Sequence, residues 1–252
     1  NDTLTGGAPL VDLLVARVFT DSGGADSTTI GDAVDWCREQ DADVISMSLG
    51  GLTLPAIGSL LEQDATLSEA AVERALDAGI YVVAAAGNTE ITRDVATPAN
   101  VPGVIAVGAL DQALSSKAGF SQSGLNQGPL VGERQDPDRK PEVSAPGVAI
   151  TSAMAPGSQI AVDVAGCRGQ RYCALDGTSQ ATPFVAAALA LVLEAVPELR
   201  PDQASVTDPR DNIRRMKEAL AASAESLPGR GEPHDDGVGY GLVQARELLD
   251  EL

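Results

Sequence analysis

Between residues 30 and 107 the sequence alternates between helical periodicity and short apolar runs. The predicted elements are a helix over Ile30–Gln40, a strand over Val44–Ser48, a helix from Leu67 to a stop at Gly79, and strands over Ile80–Ala86 and Val104–Val107. Strands that alternate with helices in this order form parallel sheets through right-handed crossovers. With 252 residues, of which 44% are hydrophobic, the chain is predicted to form one α/β domain over residues 1–252.

The stretch that most directly suggests chemistry is Asp176–Pro183, where Gly-Thr-Ser precedes a proline at the fourth position after the serine. The apolar run Phe184–Leu193 follows, which predicts a buried helix from about Ser179 to Glu194. A serine hydroxyl at such a helix start lies beside unsatisfied N–H groups and the positive end of the helix dipole. These groups can stabilise the oxyanion that forms when a serine attacks a carbonyl. The alternative is that Ser179 is only a residue near a helix start, where serine is common.

Two more motifs accompany Asp176–Pro183. Val82–Asn88 is an apolar strand that ends in Gly-Asn, and Asp43–Gly51 is a strand that ends in Ser-Leu-Gly-Gly. In this order and at this spacing, the three motifs resemble those of the subtilisin-like serine proteases, the subtilases of peptidase family S8. The resemblance extends from about Gly6 to Val243. It implies that family's fold, a three-layer α/β/α arrangement around a mostly parallel, twisted central sheet.

The resemblance also implies roles for individual residues. Ser179 would be the nucleophile, and the Asn88 side chain and the Ser179 backbone N–H would form the oxyanion hole. The substrate would bind as an extended strand, in a cleft whose small residues leave room for a large apolar side chain. The implied substrate-binding residues are Ser48, Leu49, Gly50, Ala85, Ala86, Gly87 and Thr178. The alternative for Asn88 is an ordinary turn residue after Gly87.

Serine attack also requires a base and a group that orients this base. The family supplies them in the order Asp, His, Ser, and neither motif occurs before Ser179 in this sequence. The one histidine, His234, follows the serine in a polar loop, where we expect a solvated surface residue rather than a base. Gly6–Pro9 resembles the family's turn that closely follows its histidine helix. We therefore expect the C-terminal three-quarters of a peptidase domain, with the catalytic Asp and His upstream of Asn1.

Three functions are compatible with these motifs. The first is a serine endopeptidase that forms an acyl-enzyme on Ser179, with this chain inactive by itself. The second is a catalytically dead pseudo-protease that binds extended peptides. The third is one half of a split enzyme. The partners would be a peptide or protein substrate, and the missing N-terminal segment or a complementing chain. An incomplete domain is expected to expose a sheet edge and a helix face, and to be poorly stable or sticky.

The cysteines indicate the cellular location of the protein, and the net charge indicates which kinds of partner it can bind. Cys167 and Cys173 have Gly169 between them and predict a hairpin disulfide, which favours an extracellular or cell-surface location, as the resemblance does. Cys37 is predicted to be a buried free thiol. There are 36 acidic and 17 basic residues, a net charge of −19, which argues against nucleic acid and anionic membranes as partners. The acidity suits a halophile; the alternative is an ordinary acidic protein.

No cofactor is expected to be required. Calcium is common in the family, but no calcium-binding motif occurs, and the loop before Gly6 retains only Asn1–Thr3 where one family site lies. Further predictions are a strand in Leu10–Phe19, a hairpin in Ile160–Leu175, and helices over Ile213–Ala221 and Arg246–Leu252.

Overall fold

A four-stranded parallel sheet lies at the centre of the structure, which is a computed structural model. The described residues are 4–20, 24–51, 62–89, 94–128, 132–155, 167, 169–203, 205–229 and 233–252, and of 62–66 only the backbone is described. The helices are α1 (Ser27–Glu39), α2 (Glu62–Asp77), α3 (Thr178–Ala195), α4 (Arg210–Ser223) and α5 (Ala245–Asp250). The strands are β1 (Val44–Met47), β2 (Tyr81–Ala85), β3 (Ile105–Leu110), β4 (Gln127–Gly128), β5 (Gly132–Glu133), β6 (Val143–Pro146), β7 (Ile150–Ala153) and β8 (Tyr172–Leu175).

The central sheet has the strand order β1-β2-β3-β6, and all neighbouring strands are parallel. Every residue of β2 and β3 is buried, so both faces of the sheet must be covered. Helix α3 packs across all four strands, while α1 packs on α2 and α2 packs on β2. The predicted three-layer α/β/α class is confirmed.

Local sequence explains where the first helices begin and end. The Asp26 carboxylate accepts a hydrogen bond of 2.9 Å from the Thr29 N–H and thereby caps the start of α1. Helix α2 ends before Gly79, whose φ of +81° lies in the left-handed region that glycine adopts without strain. The predicted helix stop at Gly79 is therefore correct.

The predicted strand in Leu10–Phe19 is wrong. The structure has no strand there, and Leu10, Leu13 and Val15 are 91%, 78% and 73% exposed. Apolar and β-branched residues favour a strand only when a neighbouring strand supplies backbone hydrogen bonds and cover. Within the described part of the chain, no strand pairs with this segment.

The hairpin near the cysteines is built differently from the prediction. Strand β8 pairs antiparallel with β7, in the register Ile150 to Leu175, so its partner lies upstream of Ile160. Residues 160–166 and 168 of the predicted hairpin lie outside the described residues. The predicted Cys167–Cys173 disulfide is present beside β8, with the two Cα atoms 5.2 Å apart.

Within the described residues, strand β1 forms one edge of the central sheet. Strand β1 pairs with β2 along one side, and the described residues place no strand along its other side. On α3, the large side chains of Phe184 and Leu191 are 40% and 41% exposed. The described residues thus leave one side of β1 without a paired strand and two large apolar side chains of α3 partly exposed.

Among the described residues, α3 is long and apolar enough to cross a membrane by length and composition. Half of this helix is buried inside the fold, where it packs on the sheet. Core helices share both properties, so this is weak evidence for a membrane span.

Candidate active site

The three motifs of the sequence meet at the carboxyl ends of the strands of the central sheet. The carboxyl ends of parallel strands lie on the same side of a sheet. Ser48, which follows β1, and Asn88, which follows β2, therefore lie at the carboxyl ends of neighbouring strands. Helix α3 packs on both strands and begins there, with Ser179 as its second residue. The structure therefore brings together Ser48, Asn88 and Ser179, as predicted.

A tight turn after β6 supports the start of α3. The Gly147 carbonyl accepts a hydrogen bond of 2.9 Å from the Gly177 N–H, directly before the helix. A Cβ atom on Gly147 would lie 2.4 Å from the Ala109 Cβ, so only glycine fits this contact. The Asp176 carboxylate accepts a hydrogen bond of 2.7 Å from the Ala149 N–H and closes the same turn.

Pro183 explains how Ser179 is attached to strand β1. In a regular helix the N–H of residue 183 would donate to the carbonyl of Ser179, but proline has no N–H. The freed Ser179 carbonyl instead accepts a hydrogen bond of 2.7 Å from the Ser48 hydroxyl. In return, the Ser179 Oγ donates to the Ser48 carbonyl at 3.2 Å. The nucleophile candidate is thus held against the end of β1 through its backbone and its side chain.

The Asn88 amide is oriented by Thr178. Its Oδ1 accepts hydrogen bonds from the Thr178 N–H at 2.8 Å and from the Thr178 hydroxyl at 2.9 Å. The same Thr178 hydroxyl accepts a hydrogen bond of 3.1 Å from the Gly87 N–H. Because the oxygen is held by Thr178, the NH₂ group of Asn88 is turned away from it, and Nδ2 lies beside Gly177. Thr178, predicted as a substrate contact, is fully buried and contacts Asn88; the sequence offered no signal for this role.

Ala96, which nothing in the sequence singled out, lies against both strand ends of the predicted cleft. A Cβ on Gly50 would lie 2.8 Å from the Ala96 Cβ, and one on Gly87 would lie 3.2 Å from it. Ser48 and Gly50 are exposed and Leu49 is half-buried, whereas Ala85 and Ala86 are buried. The Ala96 methyl group therefore packs against the backbone of both glycines. Residues 52–61 and 90–93, next to the cleft in sequence, lie outside the described residues.

The expectation that His234 is a solvated surface residue is wrong. Its side chain is 5% exposed, and its Nε2 donates to the Pro141 carbonyl at 2.8 Å. Pro141 precedes β6 and so lies at the amino end of the strands, opposite the edge that carries Ser179. His234 therefore cannot act as the base for Ser179.

The part of the chain that the structure describes holds no group of three or more His, Cys, Asp or Glu side chains that could bind a metal ion. Asn1–Thr3, where the resemblance would place one calcium site of the family, lies outside the described residues.

A serine at the start of a buried helix, beside two strand ends and an oriented asparagine amide, is an arrangement typical of α/β serine hydrolases. The family model of the Subtilase family, Peptidase_S8, matches residues 1–241, and the chain belongs to this family. The predicted resemblance is thereby confirmed.

The chain is similar to several characterised proteins of this family. It is 35% identical over 243 residues to serine protease AprX of Bacillus subtilis (strain 168), a match that covers 89% of this chain and 53% of AprX. It is 34% identical over 201 residues to subtilisin DY of Bacillus licheniformis, covering 79% of this chain and 60% of subtilisin DY. The solved structure of the prenylagaramide maturation protease PagA superposes with a TM-score of 0.72 at 25% identity, covering 99% of this chain and 77% of PagA. The match thus covers 53% and 60% of these two curated relatives.

Proposed function

We propose that the protein is a serine endopeptidase that hydrolyses peptide bonds through an acyl-enzyme on Ser179. The observation that carries this proposal is the joint placement of Ser179 and Asn88. Ser179 lies at the start of α3, and Thr178 fixes the Asn88 amide with its donor beside the same helix start. Membership of the subtilase family supports the same reaction.

In this mechanism the Ser179 Oγ attacks the substrate carbonyl carbon while a base takes the hydroxyl proton. The negative charge that develops on the carbonyl oxygen is stabilised by the Asn88 Nδ2 and the Ser179 N–H, which belongs to the unsatisfied first turn of α3. The protonated base then gives its proton to the leaving amine. Water attacks the resulting ester by the same route in reverse and releases the acid product and free Ser179.

The base belongs to a segment outside the described residues in this proposal. The hydroxyl of Ser179 donates to the Ser48 carbonyl in the structure, and a base would have to accept this proton instead. Among the described residues no strand pairs with the outer side of β1, and Phe184 and Leu191 of α3 are partly exposed, which supports the docking of such a segment there. It would carry the catalytic Asp and His and complete the sheet.

The proposed substrate is an extended segment of a peptide or protein, bound beside Ser48–Gly51 by backbone hydrogen bonds. The Cys167–Cys173 disulfide supports an extracellular or cell-surface location, because disulfides persist in oxidising compartments. The proposed reaction requires no cofactor.

The test uses the full natural coding sequence that contains this chain. We expect the purified protein to cleave an unstructured protein such as casein, and Ser179→Ala to lower kcat by at least about 10³-fold, as loss of a serine nucleophile does. Asn88→Ala should lower kcat by about 10²- to 10³-fold, a range measured on subtilisin, a member of the same family. The matched control is Ser226→Ala, at an exposed position away from the helix start, which should leave kcat unchanged.

Other outcomes would favour the alternatives. Cleavage that appears only after a separate chain with Asp and His is added would identify a split enzyme. Saturable binding of extended peptides with no cleavage, and with no effect of Ser179→Ala, would contradict the proposal and favour a pseudo-protease.

A further inference from the structure

We propose that Gln122 is a positioning residue for the oxyanion hole, and that it acts by holding the backbone on both sides of Asn88. This inference rests on the proposed function, since it assigns Asn88 the role of oxyanion donor. Gln122 lies in a loop after β3, 34 positions from Asn88 in the chain, and its side chain is 3% exposed.

Gln122 contacts both neighbours of Asn88. Its backbone N–H donates to the Gly87 carbonyl at 3.0 Å, and its side-chain Oε1 accepts a hydrogen bond of 3.4 Å from the Thr89 hydroxyl. A Cβ on Gly87 would lie 2.4 Å from the same Oε1, so the amide of Gln122 packs directly on the Gly87 backbone. The φ of +111° at Gly87 places this residue in the region that only glycine adopts readily. Gln122 therefore contacts the backbone of the turn that carries Asn88.

The Gln122 amide is itself held in place. Its Nε2 donates to the carbonyl of Asp94, which follows the Asn88 turn in sequence. The Asp94 carboxylate forms a bidentate ion pair with Arg134 at 2.7 and 2.9 Å, with side chains only 16% and 13% exposed. The Asp94 carboxylate also accepts a hydrogen bond of 3.0 Å from the Leu125 N–H. A bidentate, mostly buried pair of this kind is geometrically specific, so it anchors the residues to which Gln122 binds.

The two anchors of Asn88 have separate functions. Thr178 sets the rotation of the Asn88 side chain, and Gln122 sets the backbone position from which this side chain starts. An oxyanion donor must reach the oxygen at about 2.7–3.1 Å in the transition state, so a shift of its backbone lowers kcat more than it changes substrate binding.

The central experiment compares Gln122→Met, which keeps the length of the side chain but removes its donor and acceptor, with wild type in the full natural coding sequence. We expect kcat for a peptide amide to fall by about 10- to 100-fold, with KM changed by less than about 2-fold. The decisive readout is a double-mutant cycle with Asn88→Ala. If Gln122 acts through Asn88, the same substitution should cost less than about 2-fold in the Asn88→Ala background.

Two further variants complete the design. Thr89→Val removes only the hydroxyl that donates to Gln122, and we expect a smaller loss of kcat in the same direction. Gln203→Met is the matched control, because it makes the same change at an exposed loop position. It should leave kcat and KM unchanged.

A second measurement decides the proposal without catalysis. The side-chain ¹H–¹⁵N signals of Asn88, assigned by their loss in Asn88→Ala, should shift in Gln122→Met and stay in place in Gln203→Met. An equal loss of kcat in both backgrounds, or unmoved Asn88 signals, would overturn the positioning role. If the wild-type protein cleaves nothing, the proposed function fails, and the Asn88 signals still decide whether Gln122 positions this amide.

Discussion

His234 shows how one side chain can couple the fold to pH. Its ring lies edge-on to Tyr240 with the centroids 4.9 Å apart, and its Nε2 donates to the Pro141 carbonyl. Within the described residues the buried Nδ1 atom has no hydrogen-bond partner, so it would carry the proton in the charged form without compensation. Burial lowers the pKa of His234 below its ordinary value of 6.5, and Arg139 adds to this effect while Glu142 and Asp236 oppose it.

The lowered pKa of His234 predicts a loss of stability on the acid side. Well above pH 6.5 the side chain is neutral in both states and does not change the stability with pH. As the pH falls below 6.5, the unfolded chain takes up the proton more readily than the folded chain does, so the free energy of unfolding decreases. We expect the drop in Tm between pH 8 and pH 5 to be smaller in His234→Phe than in wild type. Equal drops in the two proteins would show that His234 does not contribute to this pH dependence.

At the scale of elements, helix α4 is joined to the sheet by a buried cluster of charges. The Lys217 ammonium of α4 and the Lys140 ammonium both contact Glu142 Oε1, at 2.7 and 2.9 Å, and all three side chains are at most 1% exposed. Lys217 also forms an ion pair with Asp138, which is 45% exposed. Burial, partly offset by Glu142, lowers the pKa of Lys140 to about 8. The carboxylate of Glu142 thus compensates two cations that water cannot reach.

This cluster predicts a large effect of Glu142→Gln. The substitution keeps the shape of the side chain and an acceptor for the Ala106 N–H, which now donates to Glu142 at 2.7 Å. It removes the negative charge, leaves the buried Lys140 ammonium without its contacting carboxylate and leaves Lys217 with Asp138, which should lower the free energy of unfolding by about 3–5 kcal/mol. Urea denaturation measures this loss. Glu218→Gln, on the exposed face of the same helix, should change stability by less than about 0.5 kcal/mol. A similar small change for Glu142→Gln would contradict the assignment.

At the scale of the whole molecule, charge repulsion acts on the folded state. The chain carries 36 acidic and 17 basic residues, so 19 negative charges have no positive counterpart. Their mutual repulsion destabilises a compact state, and salt screens it. The exposed ion pairs between Arg214 and its helix neighbours weaken in salt, but such surface pairs contribute little to stability.

We therefore expect salt to stabilise the protein. The Debye length falls from about 10 Å at 0.1 M to about 3 Å at 1 M salt, so most of the repulsion between surface carboxylates is screened. The Tm should rise by several degrees between 0.1 and 1 M NaCl and by a similar amount in KCl. A constant or falling Tm over this range would contradict a role of net charge in stability and remove the physical basis for a halophilic adaptation.

The features that were predicted correctly depend on residues close together in the chain. The apolar run before Gly87-Asn88, the glycine stop at Gly79 and the apolar helix after Ser179 each impose their local structure through periodicity and glycine geometry. The parallel sheet follows from the order of these elements, and with it the meeting of Ser179 and Asn88 at one edge.

The features that were missed depend on contacts between distant segments. Leu10–Phe19 has the composition of a strand but no neighbouring strand to pair with, and His234 lies in a polar stretch yet is buried by Pro141 and Tyr240. The contacts of Gln122 and Arg134 with Asp94 span 28 and 40 positions. Composition and periodicity specify what a segment prefers by itself. Burial, strand pairing and the positioning of a side chain such as Asn88 arise only when remote segments pack against it, because the free energy of those contacts depends on which groups become neighbours.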